Sequence, residues 1–171
     1  GQYRGERGTG RPDNRDHLLP DLGQVRLAGR PGRKRVVFAA LAGNNGVPHN
    51  HNDIGSFLVY RGGRFLLTDP GAPIYSRKTF SDQRYESVFC NSFGHSVPII
   101  NGQGQAFGAR YSGSLAAENL NAPGPRRITI DMTRAYAEKT LRSLVRVFLF
   151  DPTANRLAVE DRYEFSACPR R

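Results

Sequence analysis

Three histidines, two aspartates and a group of carboxamides carry the chemistry this sequence offers. The segment Pro48-His49-Asn50-His51-Asn52-Asp53-Ile54-Gly55-Ser56-Phe57 sets five consecutive polar side chains directly before an apolar run. In extended backbone side chains alternate, so His49, His51 and Asp53 are expected on one face and Asn50 and Asn52 on the other. Two imidazoles projecting in one direction can share a metal ion or divide the roles of ligand and base. Asp69 follows in Leu66-Leu67-Thr68-Asp69-Pro70-Gly71, where proline and glycine end a strand and leave the carboxylate at its rim. His95 lies in Cys90-Asn91-Ser92-Phe93-Gly94-His95-Ser96-Val97-Pro98, again just before an apolar run. If a hairpin sets Asp69 beside His51 and a neighbouring strand delivers His95, the three form an N, N, O set of zinc type with one position left for water.

Tyr75 and Tyr85 lie between the two histidine segments, near Arg77, Lys78 and Arg84. Neighbouring cations lower a phenol's pKa and suit it to exchange protons. The alternative is a ring packed against the fold with its hydroxyl at the edge. Packing is the reading for Tyr75, and for Tyr85 both stay open. Asn101-Gly102-Gln103-Gly104-Gln105 has the glycines of a turn and amides able to bind sugar hydroxyls. No Gly-Lys-Ser/Thr follows it, which argues against a phosphate-binding loop.

These residues need strands to position them. Short β-rich runs at 24–27, 35–41, 54–60, 64–68, 97–100, 126–131, 141–150 and 156–165 are separated by turn residues. Arg61-Gly62-Gly63 is a hairpin turn, because glycine accepts the positive φ that tight hairpins demand, and Asp151-Pro152-Thr153-Ala154-Asn155 joins the last two runs in the same way. In the run 141–150, Leu144, Phe148 and Phe150 are set against Arg142 and Arg146, a strand pattern. The segment 115–120 could form one turn of helix. The class expected is all-β, an antiparallel sandwich or barrel. Residues 1–20, rich in Gly, Arg, Asp, Asn and Pro, are expected to be a flexible segment or linker remnant outside the core, with the sandwich over 21–171. Starting without Met and stopping in polar sequence, the chain is expected to be a piece of a longer protein.

The 171 residues suit one domain, and no apolar run approaches the roughly 20 residues of a membrane-spanning helix. The formal charge is +10, and all but three of the 25 basic residues are arginines, whose planar fork suits phosphate, carboxylate and sulfate alike. A polyanionic partner is therefore expected, and charge alone does not separate nucleic acid from acidic polysaccharide; the lack of a basic helix and of aromatics interleaved with arginine argues against nucleic acid. Cys90 and Cys168 match no zinc-binding pair and form either a disulfide or two buried thiols, the thiols being the preferred reading.

The order of three strings is similar to that of a known family. Gly43-Asn44-Asn45-Gly46-Val47-Pro48-His49-Asn50-His51-Asn52-Asp53-Ile54-Gly55-Ser56-Phe57, then Leu67-Thr68-Asp69-Pro70-Gly71-Ala72-Pro73-Ile74-Tyr75, then Asn91-Ser92-Phe93-Gly94-His95-Ser96-Val97-Pro98-Ile99-Ile100-Asn101-Gly102-Gln103-Gly104-Gln105, resembles the C-terminal β-sandwich of heparinase II/III-like polysaccharide lyases. The likeness covers roughly residues 20–165, and the His-Asn-His-Asn-Asp-x-Gly-Ser-Phe string is its most specific part. It implies a supersandwich-like fold, a structural zinc on His51, Asp69 and His95, and His49 aimed at the substrate with Tyr85 as the family's tyrosine. Asn50, Arg84 and Gln105 are the expected substrate contacts. It also implies an upstream α-helical toroid that this sequence lacks, a periplasmic or secreted setting, and β-elimination on a uronate polysaccharide such as a glycosaminoglycan or alginate. The fragment alone is expected to be inactive. Two other readings remain: a cupin-like metal enzyme, which ordinarily adds a glutamate shortly after the paired histidines, and a non-catalytic carbohydrate-binding sandwich.

Overall fold

Alternation of apolar and polar residues shapes the strands of this protein, whose computed structural model describes residues 13–167. In β3 (Val36–Leu41), Val36, Phe38 and Ala40 point inward and their neighbours outward. β3 belongs to a five-stranded antiparallel sheet in the order β1-β2-β3-β5-β6, with β1 (His17–Leu19), β2 (Gln24–Ala28), β5 (Phe57–Arg61) and β6 (Arg64–Leu67). The second sheet, also of five antiparallel strands, runs β10-β9-β8-β7-β4. It comprises β4 (Gly43–Asn44), β7 (Ser112–Glu118), β8 (Arg126–Asp131), β9 (Leu141–Asp151) and β10 (Arg156–Phe165). Among the described residues helical structure is confined to short 3-10 turns. The protein is an all-β sandwich.

The two sheets meet through aromatic rings. Phe38 of β3 packs on Phe148 of β9 at a centroid distance of 4.7 Å, and Phe57 of β5 meets the same ring at 5.1 Å. Val25, Leu27, Ile128, Ile130, Leu144 and Phe150 complete the layer between the sheets. Both expected hairpins are present: Gly62 and Gly63 turn β5 into β6, and residues 152–155 turn β9 into β10.

Four expectations change. The run 97–100 is irregular, with only an isolated bridge from Ile100 to Gln103; Pro98 lacks the N–H that a strand ladder needs. The segment 115–120 holds no helical turn; most of it lies in β7, which pairs with β8 from Ser114 to Glu118, and cross-strand pairing overrides the helix preference of its alanines. The N-terminal segment is not wholly outside the fold: His17–Leu19 is strand β1, and Asp16 is buried, accepting hydrogen bonds from Ala28 N, Asn121 N and Arg126 Nε. A carboxylate with that many donors anchors a segment that composition alone marks as loose. Residues 1–12 lie outside the described residues. Arg146 does not oppose the apolar face of β9 but shares it with Leu144, Phe148 and Phe150 and is buried, whereas Arg142 is exposed. Cys90 is a buried free thiol, and Cys168 lies outside the described residues.

Because Phe148 touches rings from two strands of the opposite sheet, Phe148→Ala is expected to cost about 3–5 kcal/mol of stability. Urea unfolding of the two proteins measures this, and a loss below about 1 kcal/mol would show that the sheets are held together elsewhere.

Candidate metal centre and adjoining cleft

The chain changes sheet at Ala42, since Leu41 ends β3 in the first sheet and Gly43 begins β4 in the second. Residues 45–56 then return from β4 to β5, so the polar segment bridges the two sheets instead of forming a strand. His49 sits in the left-handed region at φ 60°, and Asn50 N closes a turn on Val47 O at 3.3 Å. The alternation expected of an extended segment is broken there. His49 and His51 part company, His49 turning to Tyr75 and Phe80 and His51 to His95.

A buried polar network fixes the remainder of the segment. Asn52 N donates to Cys90 O at 2.9 Å, and Ser92 Oγ donates to Asn52 O at 2.7 Å. Gln105 Nε2 donates to Ile54 O at 2.6 Å, while its Oε1 accepts from Ile54 N at 2.9 Å. The amide of Gln105 thus acts as a strand partner for one residue, Ile54. Gly55, at φ 90°, follows, and a Cβ there would lie 2.0 Å from Met132 Sδ, so only glycine fits.

This framework gathers His51, Asp53, Asp69 and His95, whose ligating atoms all lie within 4.8 Å of one another. The three residues picked from the sequence come together, and Asp53 joins them. Asp53 escaped notice as a ligand although it stands two positions after His51 in the same string. Burial pushes the Asp53 carboxyl up, with Asp69 adding to the rise and His95 opposing it. Burial first, and then His95, pushes the His51 imidazole down. Two carboxylates and two imidazoles held this close could hold a metal ion.

The hydrogen bonding of His95 tests the fit. Its Nε2 lies 3.1 Å from Phe89 O, and a carbonyl only accepts, so Nε2 carries the proton. Nδ1 is buried, makes no hydrogen bond, and stands 2.9 Å from Asp69 Oδ2. On a neutral ring this sets one lone pair against another. A second ring proton or a metal ion relieves the repulsion, and the convergence of His51 and Asp53 on the same point favours the metal. Backbone orientation of the ring through its other nitrogen is also how metal-binding histidines are held. Two nitrogens and two oxygens without thiolate suit a four-coordinate divalent ion of the zinc kind.

Beside the cluster lies an open cleft of about 400 Å³ lined in part by His49, Asn50, Phe80, Arg84, Tyr85 and Phe107. Tyr85 stacks on Phe107 at 4.9 Å and donates its hydroxyl proton to Asn50 Oδ1 at 2.8 Å. The expected fall in its pKa does not occur: burial pushes the phenol up, outweighing the nearby Arg84. Arg84 Nε is buried and makes no hydrogen bond. Tyr75 is largely exposed and stacks on Phe80 at 5.6 Å. Gln105, expected to meet sugar hydroxyls, is buried with its side chain committed to Ile54, Asn45 and Tyr136. The amide that looked available in the sequence is a structural part.

The family model for the heparinase II/III-like C-terminal domain matches residues 11–167. Among curated proteins none matches the chain.

The purified chain is expected to carry about one divalent metal ion, lost in His51→Ala and His95→Ala and held more weakly in Asp53→Asn, whereas His49→Ala keeps it. Elemental mass spectrometry with thermal unfolding checks this, and equal metal loss in His49→Ala would show that the two histidines act together.

Proposed function

Because the chain belongs to the heparinase II/III-like C-terminal family of polysaccharide lyases, we propose that it is the β-sandwich part of an enzyme that cleaves a uronate-containing polysaccharide by β-elimination. The observation that carries this reading is the position of His49: it lines one cleft with Tyr85 and Arg84, two residues along the chain from the metal cluster.

The reaction removes the proton at C5 of the uronate, α to its carboxylate, and expels the oxygen linked at C4. Negative charge grows into the carboxylate as the proton leaves, so a cation at that group lowers the barrier. Arg84 is the candidate for the task, because it lines the cleft and a guanidinium suits a carboxylate. His49 takes the C5 proton, the electron pair of that bond forms the C4–C5 double bond, and the C4–O bond breaks. Tyr85 gives its proton to the departing oxygen. Burial holds the phenol in its protonated form, outweighing Arg84 and the hydrogen bond to Asn50, which favours the acid role over the base role. Asn50, bonded to Tyr85, orients that hydroxyl.

Zinc held by His51, Asp53, Asp69 and His95 would serve structure here, its charge ordering the segment that presents His49. Four protein ligands leave no coordination position for substrate. The φ of 60° at His49 is costly for a residue with a Cβ, and strain of this kind is retained where it aims a functional side chain. The charge of +10 complements an acidic glycan, and a helical toroid would close the other wall of the cleft, with the enzyme acting in the periplasm or outside the cell. The cupin-like reading loses support, since the paired histidines lie in a bridging turn and not on a barrel strand.

In the full-length protein, His49→Ala is expected to lower kcat on a uronate polysaccharide by about 10²–10⁴ with metal content unchanged. Ultraviolet absorbance of the unsaturated product, measured on heparan sulfate and alginate in parallel, reads the rate. Wild-type cleavage giving only saturated ends would exclude β-elimination. In the isolated chain, His49→Gly is expected to unfold at or above the wild-type temperature, because glycine relieves the strained φ; a clear fall would mean that His49 serves the fold.

A further inference from the structure

We infer that Arg146, on β9, is the positioning residue that holds the two ligand-bearing segments in register for metal binding, an assignment that rests on the metal reading above. Its side chain is 7% exposed. Nε and Nη2 form a two-pronged pair with Asp161 Oδ1 and Oδ2, both at 2.6 Å, and Asp161 stands directly opposite Arg146 in the β9–β10 ladder. The remaining nitrogen, Nη1, donates to Gly55 O at 2.9 Å and also to Ser96 O. Gly55 follows Asp53 by two residues and Ser96 follows His95 by one. A single guanidinium nitrogen therefore joins the segment carrying His51 and Asp53 to the segment carrying His95.

Burying an arginine costs several kcal/mol in desolvation, so its pairing must be nearly complete for the position to be tolerated. Here the carboxylate of Asp161 and two carbonyls supply that pairing, and the Phe57 ring lies 5.5 Å from the guanidinium carbon. The arrangement needs the planar fork. Two nitrogens grip the carboxylate while the third points away from it toward the loops, and a lysine ammonium cannot span both sides. The glycine at 55 contributes as well, because its positive φ turns the carbonyl toward β9 without a side chain meeting Met132. Arg146 is too deeply buried to meet a polymeric substrate, so its effect on chemistry runs through the ligands.

A residue that only stabilised the sandwich would lower unfolding temperature equally with and without metal. A positioning residue lowers metal affinity as well, since ligands freed from their register must be ordered when the ion binds. Cobalt(II), whose visible bands report ligand geometry, is the probe. Arg146→Lys in the isolated chain is expected to bind cobalt 10–100-fold more weakly than wild type, the usual effect of losing a group that orients metal ligands. Its bands should shift in position or intensity. Asp161→Asn, which leaves the arginine in place but weakens its grip, is expected to move both readouts in the same direction by less, and it decides the matter if the lysine variant does not fold. Wild-type affinity and an unchanged spectrum in a folded variant, with only the metal-free unfolding temperature reduced, would overturn the proposal. Wild-type protein that binds neither cobalt nor zinc would remove the metal reading itself, before any variant is compared.

Discussion

Backbone polar groups buried at the end of the sandwich must find partners without a ladder to supply them, and Gln105 meets much of that demand. The chain between β6 and β7 contains no strand, only short 3-10 turns and an isolated bridge. Buried N–H and C=O groups left unpaired in such a stretch would each cost about 1–3 kcal/mol. Gln105 pairs with both backbone groups of Ile54, its own N donates to Ser92 Oγ at 2.8 Å, and its O accepts from Asn52 Nδ2 at 3.2 Å. Through these bonds three segments far apart in sequence become one rigid platform. His51, Asp53 and His95 project from it, and Asp69 reaches them from the end of β6.

The electrostatics of the cluster follow from that platform. Hydrogen bonds fix the backbone beside His51, Asp53 and His95, and with Asp69 their ligating atoms lie within 4.8 Å of one another. Burial raises the Asp53 carboxyl and lowers the His51 imidazole, and Nδ1 of His95 faces Asp69 Oδ2 without a hydrogen bond. A divalent cation at this point would draw on the lone pairs of all four side chains. Arg146 supplies fixed positive charge nearby, yet its guanidinium is committed to Asp161 and two carbonyls and so cannot take the ion's place.

The separation of His49 from His51 gives the two histidines of one motif different surroundings. One turn at His49 sends adjacent imidazoles of the same motif to different surroundings, the one to an exposed aromatic group beside the cleft and the other to the cluster. The His51 side of the segment packs into the cluster while the His49 side lines the open cleft. Tyr85 and Arg84 lie on the cleft side with His49.

The sequence by itself determined most of the strands and both hairpins, because alternation and turn chemistry act over a few neighbouring residues. The failures at 97–100 and 115–120 are also local, one where Pro98 lacks a donor and the other where pairing with β8 overrode a short helical preference. The strings around His51, Asp69 and His95 pointed to the cluster through family likeness, yet nothing local required the three to meet. Only the tertiary structure decided that Asp53 completes the set, that Gln105 turns inward and that Arg146 faces the core. Each depends on bonds between distant positions, 51 residues apart for Gln105 with Ile54 and 91 for Arg146 with Gly55. In the unfolded chain those groups prefer water, and only the closing of the two sheets, which removes water from between them, makes such distant polar partners the ones that satisfy each other.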